Sequence, residues 1–176
     1  MKFWVLALVL VLQGCSGIRP EEYRGTTPPL DLRRFFSGEL RAYGMLQDRS
    51  GLMTRRFTVT MTGTWQGDSG TLNEHFVFDD GEQQDRIWHL QATGEGRYRG
   101  TAADVIGTAE GSVNGAVLQW NYQLEVPWRG SKLAVTLDDW LYLIDEQHLL
   151  NKTELTKFGF KVGELTLVIE KLQPGA

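Results

Sequence analysis

The segment FTVTMTGTW, residues 57–65, places an apolar or small residue at every odd position and a threonine at every even position. A repeat of two is typical of a β-strand with one buried and one exposed face. The segments LQWNYQLEV at residues 118–126 and LTLVIE at residues 165–170 show related alternation. Asn114-Gly115 favours a two-residue hairpin, because both residues accept a positive φ. The sequence therefore predicts antiparallel strands joined by tight turns.

Working outward from these segments, the alternation and the turn residues give about nine or ten strands after Gly38, and no convincing amphipathic helix. The fold class that we predict is all-β, a single closed antiparallel barrel of about eight to ten strands. A barrel of this size has interior space for one small ligand.

The N-terminus reads KFWVLALVLVLQGC at residues 2–15, in which one lysine precedes ten apolar residues. Because this apolar run is about half of what a membrane-spanning helix needs, we expect residues 1–14 to be a cleaved signal peptide. The end of this segment resembles the bacterial lipobox. It predicts that Cys15, the only cysteine in the chain, carries acyl chains such as palmitate and anchors the protein to a membrane. An Asp directly after the lipidated cysteine would keep a lipoprotein from being passed to the outer membrane. Residue 16 is a serine, which favours the periplasmic leaflet of the outer membrane.

The composition divides the rest of the chain into two parts. Residues 15–34 are rich in proline, glycine and charge, and we expect a lipidated cysteine followed by a flexible tether. Residues 35–173 form the predicted barrel domain. The chain holds 18 basic and 22 acidic side chains, a net charge of -4, which argues against a nucleic-acid partner. We expect a monomer.

Several motifs together resemble the bacterial lipoprotein family catalogued as domain of unknown function 3833, over residues Phe35 to Lys171. The motifs are residues 36–44, residues 48–56, FDDG at 78–81, Arg86-x-Trp88, GTAADVIG at 100–107, DDW at 138–140 and KFGF at 157–160. The resemblance implies a lipocalin-like (calycin-type) barrel, and FSGEL at residues 36–40 is also similar to the opening of lipocalins. The resemblance also implies a connection with lipids, since members of the family accompany lipid-modifying enzymes in genomes, but it implies no mechanism.

Acidic residues interrupt two faces that are otherwise apolar. The predicted strand phase places Glu74 on the same face as Phe76, and Asp139 among the leucines of its strand. A buried carboxylate must be paired, neutralised or hydrated, and we nominate Arg86 as the partner, with Asp104 as a further candidate. These residues form either a polar clamp for the head group of an acyl ligand or a structural ion pair that closes one end of the barrel.

Aromatic residues are the other candidates for contact with a ligand. They are Trp65, Phe76, Trp88, Trp120, Tyr122 and Trp140. Packing of the core is the simpler role for each tryptophan, whereas a tyrosine hydroxyl needs a partner when it is buried, which favours Tyr122 as a pocket residue.

The sequence offers little that points to catalysis. His75, His89 and His148 lack the short spacings of metal ligands, and the first two fall on the polar faces of their strands, so we expect no metal and no cofactor. Three functional hypotheses stay open: a barrel that binds a fatty acid or another amphiphile, a packed barrel that docks an envelope protein, and, as the least favoured, a lipid-modifying enzyme.

Overall fold

The computed structural model describes residues 17–128 and 130–173, and the predicted signal peptide and Cys15 lie outside them. The elements, in chain order, are a single turn of 3₁₀ helix at Pro20–Tyr23, α1 at Leu32–Phe35, β1 at Gly38–Asp48, β2 at Met53–Gln66, β3 at Ser69–Phe78, β4 at Gln83–Gly94, β5 at Arg97–Thr101, β6 at Val105–Asn114, β7 at Val117–Trp128, β8 at Ser131–Leu143, β9 at His148–Lys157 and β10 at Phe160–Lys171.

The ten strands form a closed antiparallel barrel in which every strand pairs with its neighbours in sequence, and β1 pairs with β10. The prediction of an all-β barrel is confirmed. In β2 the residues Phe57, Val59 and Met61 are buried, whereas the threonines between them face outward. The alternation therefore sets which face of each strand looks into the barrel.

One end of the barrel, here called the closed end, is covered by the residues that precede β1. The buried side chains of Leu30, Leu32, Phe35 and Phe36 belong to the same apolar cluster as the barrel interior. Helix α1 begins after Asp31, whose carboxylate accepts hydrogen bonds from the backbone N–H groups of Arg33 and Arg34. Such an N-cap fixes the start of a helix that is too short to be stable alone.

Residues 20–34 therefore do not form the flexible tether that the composition predicted. Tyr23 packs on Trp140 and Tyr142 of β8, with ring centroids 6.1 and 5.8 Å apart. The hydroxyl of Thr26 accepts a hydrogen bond from the backbone N–H of Ala116 at 2.8 Å. The prediction for this segment was wrong because its few apolar residues, although isolated in sequence, all reach the same end of the barrel.

The opposite end, here called the open end, lies on the side of the β1–β2, β3–β4, β5–β6, β7–β8 and β9–β10 connections. No helix of the described residues covers it. Phe158 and Phe160 are 87% and 76% exposed there. Inward-facing residues near this end, including Leu46, Phe76 and Leu165, remain partly exposed, whereas Leu40 and Leu149 near the closed end are fully buried. Several inward-facing residues are thus less completely buried near the open end than near the closed end.

In the part of the chain that the structure describes, no helix has the length and apolar character needed to cross a membrane.

Candidate functional site

A group of polar side chains points into the barrel at about mid-height, between the packed closed end and the open end. We call it the polar cluster, and its members are Glu74 on β3, Arg86 on β4, Asp104 before β6, Tyr122 on β7, Asp139 on β8, and Asn151 and Thr153 on β9. All members except Asp104 occupy inward positions of their strands, so the same alternation that builds the core also gathers these groups.

Arg86 holds the first half of the cluster together. Its Nε donates to both carboxylate oxygens of Asp104, at 3.1 and 2.9 Å, and its Nη2 donates to Oδ2 at 2.7 Å. Glu74 is the direct cross-strand partner of Arg86, and its Oε2 lies 3.7 Å from Nη1. The side chains of Arg86, Glu74 and Asp104 are 15%, 13% and 21% exposed. A forked pair of this kind is both strong and directional.

Burial raises the pKa of Glu74 to about 7. Desolvation is the largest cause, the positive charge of Arg86 opposes it, and the negative charge of Asp104 adds to it. The guanidinium therefore does not cancel the cost of burying the Glu74 carboxylate, because Asp104 already takes most of its hydrogen bonds.

Asp139 is 9% exposed, and desolvation raises its pKa to about 7 as well. The hydroxyls of Thr153 and Tyr122 and the charge of Arg86 lower this value in part. Burial, and next the charge of Asp139, hold the pKa of Tyr122 well above its usual range. Because Glu74, Arg86, Tyr122 and Asp139 influence one another electrostatically, the two halves of the cluster form one site.

Three buried atoms of this site have no hydrogen-bond partner among the described residues: Oε2 of Glu74, Oδ1 of Asp139 and Nδ2 of Asn151. Buried polar atoms are almost always hydrogen-bonded, and each exception costs free energy. Two acceptor atoms and one donor group are therefore left to interact with something other than the protein.

Aromatic rings form the surroundings of the cluster. Phe76 lies under the Arg86 guanidinium, 5.3 Å from ring centroid to Cζ. Trp88 makes edge contacts with Tyr122 at 5.4 Å and with Trp120 at 5.9 Å. Cation–π and edge-to-face contacts of this type fix side-chain positions, so Phe76 on the open-end side and the two tryptophans on the closed-end side hold the cluster in place.

The apolar residues between the cluster and the open end do not pack into one core. Leu124, Val135 and Leu137 form a separate buried cluster on the β7–β8 wall, whereas Phe57 on the opposite wall belongs to the main core. Inward-facing residues such as Phe76 and Leu165 are only partly buried, so an apolar and partly exposed surface lies between the polar cluster and the open end.

The structure brings together most of the residues that the sequence nominated. Glu74, Arg86, Asp104 and Asp139 converge, with Phe76, Trp88 and Tyr122 beside them. Trp120 is buried against Trp88, and Trp65 packs on Tyr98 near the closed end, 6.4 Å between ring centroids. These two tryptophans lie on the closed-end side of the cluster, in the packed core.

Trp140 does not face the interior, and the expectation that it lines the barrel together with Asp139 was wrong. Its Nε1 donates to Oδ2 of Asp138 at 3.0 Å on the outer wall, beneath Tyr23. The physical reason is that successive residues in a strand point to opposite faces, so the side chains of Asp139 and Trp140 cannot both point into the barrel.

Asn151 and Thr153 were not among the candidate residues, although both are buried. The hydroxyl of Thr153 donates to Oδ1 of Asn151 at 3.1 Å. The signal was present in the sequence, since Leu149 and Leu155 flank the two residues at the same alternating positions. The rule that identified charged residues on apolar faces does not single out neutral polar residues, which cost less to bury.

His75 and His89 face outward, as the strand phase predicted. Within residues 17–128 and 130–173, no group of three or more histidine, cysteine or acidic residues has the arrangement of a metal site. Two shallow depressions lie on the outer wall, one beside His89 and one beside Glu110. Neither of them includes a member of the polar cluster.

A family model described as protein of unknown function (DUF3833) matches residues 9–171. The chain belongs to the DUF3833 family. The resemblance found in the sequence motifs is thereby confirmed, and the match extends from the apolar N-terminal run to the last strand of the barrel. No curated protein matches this DUF3833 chain significantly.

The DUF3833 barrel is similar to solved structures. The S-type phycobiliprotein lyase CPES from Guillardia theta superposes with a TM-score of 0.58 at 7% identity, over 82% of this chain and 94% of that chain. The protein EF1p2_mFAP2b bound to DFHBI gives a TM-score of 0.44 at 7% identity, over 79% of this chain and 95% of that chain; similarity at that level is too distant to support an argument. The first similarity establishes a shared barrel architecture, and function has to be argued from the site.

Proposed function

We propose that this DUF3833 protein binds a lipid or a similar amphiphile inside the open half of its barrel. The observation that carries the proposal is the polar cluster, whose unpartnered buried atoms face an apolar and partly exposed interior. An apolar pocket with a few fixed polar groups is the usual form of a small-molecule site. The exposed Phe158 and Phe160 at the open end extend this apolar surface to the rim.

The binding proposal can be tested on a chain that starts at Ser16. This chain keeps the whole barrel and every contact of the segment that covers the closed end. We expect native mass spectrometry of the purified protein to show a bound species that organic extraction releases as a lipid. A protein that carries nothing and takes up no fluorescent fatty acid would instead favour the packed barrel that docks an envelope protein.

Two tryptophan variants on β10 give a matched comparison. Leu165 faces the interior and is partly buried, whereas Val168 on the same strand faces outward and is 42% exposed. Leu165→Trp should fill the proposed binding space and abolish uptake of the fluorescent fatty acid, because a bulky side chain excludes the ligand. Val168→Trp should leave uptake unchanged. Equal uptake by both variants would place the ligand outside the barrel.

We further propose that residues 1–14 are removed as a signal peptide and that acyl chains on Cys15 hold the barrel at the periplasmic leaflet of the outer membrane. The support is the lipobox-like sequence that ends at Cys15 and the durable attachment that several acyl chains provide. Metabolic labelling with palmitate should mark the wild-type protein and not Cys15→Ser. Density-gradient separation of the two membranes then tests the location, and recovery with the inner membrane would refute it.

A further inference from the structure

The charge balance of the polar cluster restricts the kind of head group that fits there. One guanidinium, that of Arg86, faces the carboxyl groups of Glu74, Asp104 and Asp139. Its Nε and Nη2 already donate to Asp104, and its Nη1 faces Glu74. An anionic head group would have to displace Asp104 and then lie beside two further carboxyls. Where Glu74 and Asp139 are ionised, above a pH of about 7, their charges would repel the charge of such a head group strongly in this poorly solvated site.

The unpartnered atoms favour the opposite kind of ligand. Oε2 of Glu74 and Oδ1 of Asp139 are acceptors without a donor, on β3 and β8. Among the described residues of the polar cluster, Nδ2 of Asn151, beside Thr153, is the one buried donor without an acceptor. A hydroxyl or an amine can donate to the two carboxyls, and a hydroxyl can also accept from the amide. A carboxylate or a phosphate offers acceptors only, and these would face the two carboxyl oxygens.

From this geometry we infer that the ligand is an amphiphile whose head group donates hydrogen bonds and is neutral or cationic, as in an alcohol, a monoacylglycerol or an amine, and is not a carboxylate or a phosphate. The inference rests on the proposed function, since it names the class of ligand that the same site takes. A fatty acid in its ionised form is therefore excluded from the ligands that we expect the barrel to bind.

The ionisation of the site separates the two kinds of donor. Glu74 is faced by Arg86 from β4, by Asp104 and by Asp139, and Asp139 is faced by Tyr122, Thr153 and Arg86, with Asp138 adjacent in sequence. As the pH rises through about 7, Glu74 and Asp139 lose protons, and Arg86 keeps its charge. An ammonium head group should bind more tightly at pH 8 than at pH 6, whereas a glycerol head group should change little.

A series of ligands with the same twelve-carbon chain tests the inference on the chain that starts at Ser16. The four members are dodecylamine, monolauroylglycerol, laurate and dodecyl phosphate, each displacing the uncharged probe N-phenyl-1-naphthylamine. We expect the amine and the monoacylglycerol to displace the probe at concentrations at least about ten-fold lower than the two anions. Equal or stronger displacement by laurate or dodecyl phosphate overturns the inference and leaves the proposed function standing. No displacement by any member overturns both.

A double variant, Glu74→Gln with Asp139→Asn, tests whether these two carboxyls cause the preference for a neutral or cationic head group. The amides keep the size of the carboxyls and remove their charge, so we expect the disadvantage of laurate to shrink towards equality. Glu154→Gln is the matched control, because Glu154 lies on β9 and faces outward, and it should keep the wild-type preference. A folded double variant that retains the full preference places the head group elsewhere and overturns the inference.

Discussion

At the scale of single residues, Arg86 is the side chain on which the polar cluster depends. Arg86→Met would keep most of the side-chain volume and leave Asp104 and Glu74 without their positive partner. Breaking one partner of a buried ion pair costs about 3–5 kcal/mol, so we expect a loss of that order in the free energy of unfolding, measured by urea denaturation. Arg97→Met removes an exposed pair with Glu95 and should have a much smaller effect.

The two carboxyls with a raised pKa predict how stability depends on pH. In the folded protein Glu74 and Asp139 each have a pKa of about 7, above the values of an unfolded chain, so the native state binds protons more tightly. Their contribution to stability is complete below the pKa of the unfolded chain and is lost as the pH rises through about 7.

The measurement is the free energy of unfolding between pH 5 and pH 8, compared between the wild type and the variant Glu74→Gln with Asp139→Asn. The wild type should lose stability across this interval, on the order of a few kcal/mol in total. The amides do not titrate, so the double variant should give a flatter profile. Parallel profiles would mean that neither carboxyl is held in its neutral form by burial.

Much of the site follows from residue-level rules applied to the sequence. A carboxyl or a guanidinium at an apolar position of an alternating strand is costly unless paired, and this rule identified Glu74, Arg86 and Asp139. It could not supply the pairing of Arg86 with Asp104, because Asp104 lies in a connection between strands, where alternation gives no direction. Nor could it show that Asp104 takes most of the Arg86 hydrogen bonds and leaves Glu74 with a raised pKa.

At the scale of elements, the segment before β1 is the part of the fold for which the prediction from composition, a flexible tether, was wrong. Its proline, glycine and charge content is typical of a linker, but Leu30, Leu32 and Phe36 are almost fully buried. The strands were predictable because a period of two persists over many residues. A cap made from single apolar residues has no period, and only the completed barrel gives it a surface to bury against. The hairpin at Asn114-Gly115 was placed correctly to within one residue, since the turn lies at Gly115-Ala116.

The closing segment should contribute to the stability of the whole barrel. Phe36 is 5% exposed within the main core, and Phe36→Ala should lower the free energy of unfolding by about 3–5 kcal/mol, through lost burial and the cavity that remains. Ile18, which is 60% exposed, provides the control, and Ile18→Ala should change stability by less than about 0.5 kcal/mol. Chemical denaturation measures both, and similar small losses would show that the segment is only loosely attached.

At the scale of the whole molecule, the folded N-terminal segment and the proposed acyl chains on Cys15 together predict which end of the barrel faces the membrane. Pro20 begins the first helical turn at the closed end, and four residues lie between it and Cys15. The five steps from Cys15 to Pro20 span at most about 18 Å. A lipid-anchored protein should therefore hold its closed end close to the bilayer and present its open end to the periplasm.

This orientation is measurable in proteoliposomes that contain a lipid-bound fluorescent acceptor. A donor dye is attached to Glu146→Cys at the closed end or to Leu52→Cys at the open end, where Leu52 is 66% exposed. Energy transfer to the bilayer should be clearly stronger from position 146 than from position 52. The reverse order would mean that the barrel lies with its open end on the lipid.

A barrel that is closed at one end would also fix the orientation in which an amphiphile enters it. A molecule can enter only past the rim, and the groups that would recognise its polar part lie inward, so it must travel head-first with its hydrocarbon tail behind. Asp139 lies eight residue steps along β8 from Ser131 at the rim, about 26 Å along the strand and about 20 Å along the barrel axis after its tilt. In the proposed complex this depth limits the length of tail that the barrel can cover. Longer chains would leave methylenes in water beyond the rim, so tail length would be a second property on which the proposed site selects.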